Sequence, residues 1–231
     1  MIQLPQYLLW IGATLLAGYV AALSWRLGVS RHFPLVTTYL ALSLVTDLAR
    51  FIILGRFGFT AEQFMVTYYV SDSILAVVVF LVVIELCRSI LPAKHWKLLP
   101  RYSLAILVLL TVVSYAEIWQ SDTQRLMLCS YELATNLQFV SLGLILVLWG
   151  IIYFRDLPRG MAAQMVRVWG VYFLLMASTY FIFHFFHNLP PSAPRMHLEI
   201  PEMAEVWLPL GLGFAILNKS QSDLPSANVA R

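Results

Sequence analysis

The chain has 231 residues, 60% of them hydrophobic and only 12% charged, with a formal net charge of +3. A soluble domain carries about a quarter charged residues, so these figures exclude a water-soluble body of this length. Apolar runs of about 20 residues, the length that crosses a bilayer, recur along the whole chain and leave no room for a separate soluble domain.

The first run, roughly 6–26, is too long for the apolar core of a signal peptide. Residues 1–6 (MIQLPQ) carry no positive side chain, and Arg26 and Arg31 follow the run. A retained helix with its N-terminus outside is expected. Six further spans are predicted at roughly 34–54, 64–90, 101–118, 129–154, 163–187 and 202–218. Basic residues set the orientation, because they collect on the cytoplasmic side. Arg26, Arg31, Arg88, Lys94, Lys97, Arg101, Arg155, Arg159, Arg167, Lys219 and Arg231 fall on one side, against Arg56, Arg125 and Arg195 on the other. The expected fold is all-α: a polytopic membrane bundle of seven transmembrane helices, N-terminus outside and C-terminus cytoplasmic. It forms one domain over 1–218 and ends in a polar cytoplasmic tail over 219–231. The expected location is the cell's inner (plasma) membrane, with multiple passes.

Cys87 lies near the inner end of span three and Cys129 at the outer start of span five. A disulfide needs Cα atoms within about 7 Å, so the two are not expected to pair. The loop "CRSILPAKHWKLLPRY" (87–102) is basic and aromatic, and its expected partner is anionic lipid headgroups. No phosphate-cradling glycine loop and no Cys-x-x-Cys occur, and the basic residues are spread over membrane-flanking loops. Nucleic acid is therefore not an expected partner; an oligomer is left open. Span seven carries Pro209, Gly211 and Gly213. These predict either close helix packing or a kinked, broken helix beside a cavity.

An ionisable group in mid-membrane costs about 2.5–3.5 kcal/mol on the insertion scale and needs a reason to be there. At 1.5 Å per residue, Asp47, Asp72 and Asn136 sit roughly 10 Å below the outer surface, and Glu132, His184 and Glu205 about 5 Å below it. Asp47 and Arg50 are three apart and share a stripe, as do Tyr68, Tyr69 and Asp72 on span three. Glu132, Thr135 and Asn136 do so on span five, and Tyr180, His184 and His187 on span six. Five helices thus bring polar groups into one outer layer. Its carboxylates outnumber its single arginine, which suits a cation, a proton relay or an amine-bearing ligand. The bland alternative is a buried network, with Arg50 neutralising Asp47 or Asp72 to fix helix packing.

The stretch "FIFHFFHNLPPSAPRMHLEIPEMAEVW" (181–207) also admits a metal reading. His184 and His187, three apart, reach one ion, and a carboxylate from a neighbouring span completes a zinc site that activates water. Against it, the HExxH pattern is missing. Glu202 and Glu205 open span seven behind Pro201, where the helix dipole favours acids in any case. No serine has the flanking glycines of a nucleophile elbow.

Among seven-helix families, retinal proteins need a lysine midway along span seven; this span has none before Lys219, so retinal is not an expected cofactor. The segments "FPLVTTYLALSLVTDLARFIIL" (33–54), "YYVSDSILAVVVFLVVIELCRSIL" (68–91) and "YELATNLQF" (131–139) resemble an uncharacterised family of small bacterial seven-helix integral membrane proteins. That pattern has an arginine in span two, an acid after paired aromatics in span three, and a Glu with a later Gln in span five. Arg50, Asp72, Glu132 and Gln138 match it, while Asn136 stands where the family often has a second basic residue. The resemblance brings no activity with it.

The functional expectation is a small ligand or cation bound in an outward-facing polar pocket of a transporter, channel or sensor-like protein. Its candidate residues are Asp47, Arg50, Tyr69, Asp72, Glu132, Asn136, Tyr180, His184 and Glu205. The alternatives are a membrane-embedded metal hydrolase using His184 and His187 with zinc, and an assembly subunit whose charges serve packing alone.

Overall fold

A computed structural model describes residues 4–58, 61–92, 98–118, 125–154, 160–185 and 206–218. Among these residues the chain is all helical, with no strand. The helices are α1 (Leu4–Arg26), α2 (Pro34–Phe57), α3 (Glu62–Ile90), α4 (Leu98–Ile118), α5 (Arg125–Phe154), α6 (Met161–Phe185) and α7 (Val206–Asn218). Hydrocarbon offers no partner to a peptide group, so a spanning segment must satisfy its backbone internally, and the helix does so. Four stretches are long and apolar enough to cross a membrane: Leu8–Arg26, Glu62–Ile90, Cys129–Phe154 and Met161–Ser178. This is a membrane protein by length and composition. α2 is as long as α1 but is not among the four; Asp47, Arg50 and Arg56 interrupt its apolar run.

The helix ends follow local chemistry. Gly28, at φ 69°, takes the left-handed conformation that closes α1, and a short 3-10 turn (Val29–Arg31) leads to Pro34 at the first position of α2. Gly58, at φ 83°, closes α2 in the same way, with its N–H on Leu54 O at 2.9 Å. Leu91 ends α3 in extended backbone (ψ 144°) because Pro92 follows and disfavours the helical region.

The chain divides into two compact units. One takes α1, the first turn of α2 as far as Thr37, the end of α5 from Trp149, α6 and α7. Its core is apolar: Val20, Trp169, Phe173, Leu208, Leu212 and Ile216 are almost completely buried. Close approach is built in by glycine. A Cβ at Gly211 would stand 2.6 Å from Val168 Cγ1, and one at Gly170 would stand 2.7 Å from the Trp149 ring. One at Gly213 would meet Val20 Cγ2 at 3.2 Å. The glycines of α7 therefore serve packing, and its helix runs unbroken from 206 to 218. The Ser24 and Thr37 hydroxyls share a buried hydrogen bond of 2.7 Å between α1 and α2.

The other unit runs from Thr38 to Leu148. α3 buries Ser73, Ala76, Phe80 and Val83 on one face, while Ile74, Val77 and Leu81 form an exposed apolar stripe on another. Apolar side chains on both faces of a helix mark contact with lipid as well as protein. α4 exposes more still, including Tyr102, Leu104, Ile106, Val108, Leu109 and Val112, and turns the small Ser103 inward. α3 and α5 are tied where Ser73 Oγ meets Ser130 O at 2.7 Å. Cys87 and Cys129 are both free thiols.

Candidate functional site

A charged cluster lies in the second unit, with Arg50 at its centre. The residue is only 4% exposed, so its guanidinium must find partners within the protein. Nε donates to Ser71 Oγ at 2.8 Å, and Nη2 donates to Tyr68 O at 3.3 Å. The Tyr68 ring lies beneath the guanidinium, with Cζ 4.4 Å from its centroid, a cation–π contact to a buried cation. Ser71 is held for its role by donating its own proton to Tyr68 O at 2.9 Å, which turns a lone pair of Oγ towards Arg50. A guanidinium, with five donors in one plane and a face that stacks, suits this set better than an ammonium.

Two carboxylates flank this cation. Asp47, one helical turn before Arg50 on α2, places Oδ1 3.8 Å from Nη1. Asp72 of α3 places Oδ1 4.0 Å from Nη2. Both separations exceed the 2.7–2.9 Å of a charge-assisted hydrogen bond, so these pairs are Coulombic contacts. Their exposures differ: 12% of the Asp47 side chain is accessible and 34% of Asp72. Asp72 is the open edge of the cluster. One guanidinium faces two carboxylates, so with all three ionised the set carries one net negative charge.

An aromatic run extends from the cluster to α5. Phe64 and Tyr68 lie tilted with centroids 6.3 Å apart, Tyr68 and Tyr69 meet edge to face at 5.7 Å, and Tyr69 and Tyr131 do so at 6.2 Å. Edge-to-face rings stabilise one another by about 0.5–1.5 kcal/mol beyond their buried area. Tyr131 stands within electrostatic reach of Tyr69, Asp72 and Glu132. Glu132 is half-buried and Asn136 buried on the same helix.

The structure thus brings Asp47, Arg50 and Asp72 together, with Tyr69 and Glu132 near them through Tyr131, while Asn136 is buried on α5. Tyr180 and His184 have helical backbone in α6, and their side chains lie outside the described residues. His187, Glu202 and Glu205 lie outside the described residues altogether, as do the central loop residues 93–97 and the tail 219–231. Among the described residues, no three His, Cys, Asp or Glu side chains come together as metal ligands would. Sequence reasoning set Tyr69 among the site residues and left out Tyr68 and Ser71, the two that touch the guanidinium. Spacing alone puts Tyr68 and Ser71, three apart, on one stripe with Asp72, and does not say which stripe of α3 faces α2. Compared with protein-family models, curated proteins and solved structures, the chain matches none.

Proposed function

We propose that the protein binds a small cation or amine-bearing ligand at the open edge of this cluster, in a polar pocket facing outward. The reading includes seven spans, an external N-terminus, a cytoplasmic C-terminus and an inner-membrane location. It makes the protein a transporter, channel or sensor-like receptor. The observation that carries it is Asp72: a carboxylate on a membrane-length helix, about a third exposed, whose compensating guanidinium is shared with Asp47. A carboxylate that serves packing alone has no reason to keep a third of its surface open. The seven-span count is supported by α2, α4 and α7, three further helices that the chain carries beside the four long apolar stretches. Orientation rests on the basic residues; exposed Trp25, Tyr102, Tyr153 and Phe154 mark the same helix ends as membrane interfaces. Aromatic rings at such ends sit at headgroup level, beside the anionic lipids proposed as partners there. The likeness to small bacterial seven-helix proteins points the same way.

A second reading has its own observation. Arg50 is buried and its contacts to Ser71 and Tyr68 tie α2 to α3, which is what a packing lock requires. One experiment separates the two. The purified protein is reconstituted in proteoliposomes, and cation-dependent thermal stabilisation and flux are measured for monovalent cations, divalent cations and small amines. The binding reading expects at least one of these to register, and Asp72→Asn to abolish it. Responses that Asp72→Asn leaves unchanged, or none across the panel, would favour the packing lock.

A further inference from the structure

Hydroxyls in these helices usually settle on a carbonyl of their own helix. Ser73 donates to Tyr69 O at 2.9 Å, Thr111 to Leu107 O at 2.8 Å, and Ser178 to Leu174 O at 2.6 Å. Ser141 of α5 does not. The residue is 0% exposed, and its Oγ has no hydrogen-bond partner among the described residues. Oε1 of Gln138, one turn earlier on the same helix, is likewise buried and without a partner there. A polar atom shut away from water without a hydrogen bond is costly, so native proteins rarely leave one unpaired. Two such atoms at i and i+3 lie on neighbouring positions of one helix and can share a partner.

We propose that this partner is water: α5 carries a short column of internal water along Gln138 and Ser141, continuing from the polar layer at Asp72 and Tyr131. A bound water needs two to four polar partners in a site of a few tens of Å³, and a hydroxyl and an amide each both donate and accept. Tyr131 and Gln138 are seven apart and lie on one stripe of α5. From Tyr131 to Ser141 the helix rises about 15 Å, half of a hydrocarbon core about 30 Å thick. The bond from Ser73 to Ser130 holds α3 beside α5 at the head of the column. Beyond Ser141 the buried positions of this unit's α5 turn apolar, at Leu144, Ile145 and Leu148. The column therefore enters half of the membrane and stops there.

A blind, half-membrane water column is the geometry of a vestibule that delivers a proton or hydrated cation to an inner holding point. It is not that of an open channel. This role rests on the reading of the Asp72 layer as a binding site; the water itself does not.

The test places single cysteines in the full chain, in intact membranes, with Cys87 and Cys129 replaced by serine. Thiol modification by methanethiosulfonate-ethylammonium requires the thiolate, and hence local water. Gln138→Cys and Ser141→Cys are expected to react about tenfold or more faster than Ile145→Cys or Leu148→Cys. Equal rates at all four positions would overturn the column. Should the substituted chains fail to fold, radiolytic hydroxyl labelling of the unsubstituted protein decides instead. Trapped water then oxidises Leu137, next to Gln138, more than the equally buried Leu40 of α2, and equal oxidation counts against it. Neither readout needs a ligand. Labelling at 138 and 141 in a protein with no cation response keeps the column and removes the binding site; the reverse outcome removes the column alone.

Discussion

α7 meets α6 through a glycine laid over Val168, whereas α2 meets α3 through a guanidinium laid over Tyr68. In the first contact the helices approach closely because one side chain is missing, and the fully buried Leu208, Leu212, Trp169 and Phe173 fill the surroundings. In the second, Arg50 reaches across to Ser71 Oγ and Tyr68 O, with Asp47 and Asp72 beside it. Both contacts join two helices of one chain, so a charged layer is not a requirement for helix packing in this protein. Shape alone suffices in one unit. The polar layer in the other carries an insertion penalty that glycine and valine avoid.

The comparison is broken most forcefully at Arg50. Arg50→Leu strands Asp47 and Asp72 without their cation and leaves Ser71 Oγ without its donor. Breaking a buried ion pair by removing one partner costs about 3–5 kcal/mol, and a loss of that order is expected in the stability of the purified protein. Adding Asp47→Asn and Asp72→Asn to the leucine variant removes the stranded charges and should recover part of the loss, the two amides remaining polar. A single variant as stable as the parent would mean that Arg50 holds nothing together.

The apolar contact is tested at Gly211. Gly211→Ala puts a methyl group 2.6 Å from Val168 Cγ1, so the valine side chain or one of the helices must shift. Overpacking of this kind costs about 1–3 kcal/mol. Val168→Ala in the same chain opens the space, so the double variant should lose well less than the sum of the two single losses. Simple additivity in thermal unfolding would contradict the close approach of α6 and α7.

What the sequence made legible divides along the same line. The apolar runs announced the helices, because burial in hydrocarbon leaves its mark on every residue of a span. The pairing of Asp47 with Arg50 was legible too, because i, i+3 neighbours meet within a single helix whatever surrounds it. The choice of Tyr68 over Tyr69 beneath Arg50 was not. Adjacent tyrosines differ by about 100° around α3, and which one faces α2 depends on the rotation of one helix against another, which periodicity does not encode. Gly211 and Gly213 show the same limit. Small residues in a span admit either packing or a break, and only the position of Val168 and Val20 decides for packing.

The smallest expected change in stability is at Asp72, and it sharpens the comparison most. Its side chain is a third accessible and Oδ1 stands 4.0 Å from Nη2, a looser contact than the hydrogen bond from Arg50 to Ser71. Such pairs contribute about 0–1 kcal/mol, so Asp72→Asn should unfold within that margin of the parent. Asp47 and Ser71 remain to compensate Arg50 in that variant. A loss of about 3 kcal/mol or more would instead place Asp72 inside the lock and assign the whole layer to packing. If the asparagine variant keeps its stability but loses its response to cations, the two functions of the layer come apart at a single residue. Arg50 then holds α2 to α3, and Asp72, at the open edge of the same cluster, exchanges its partner for the cation.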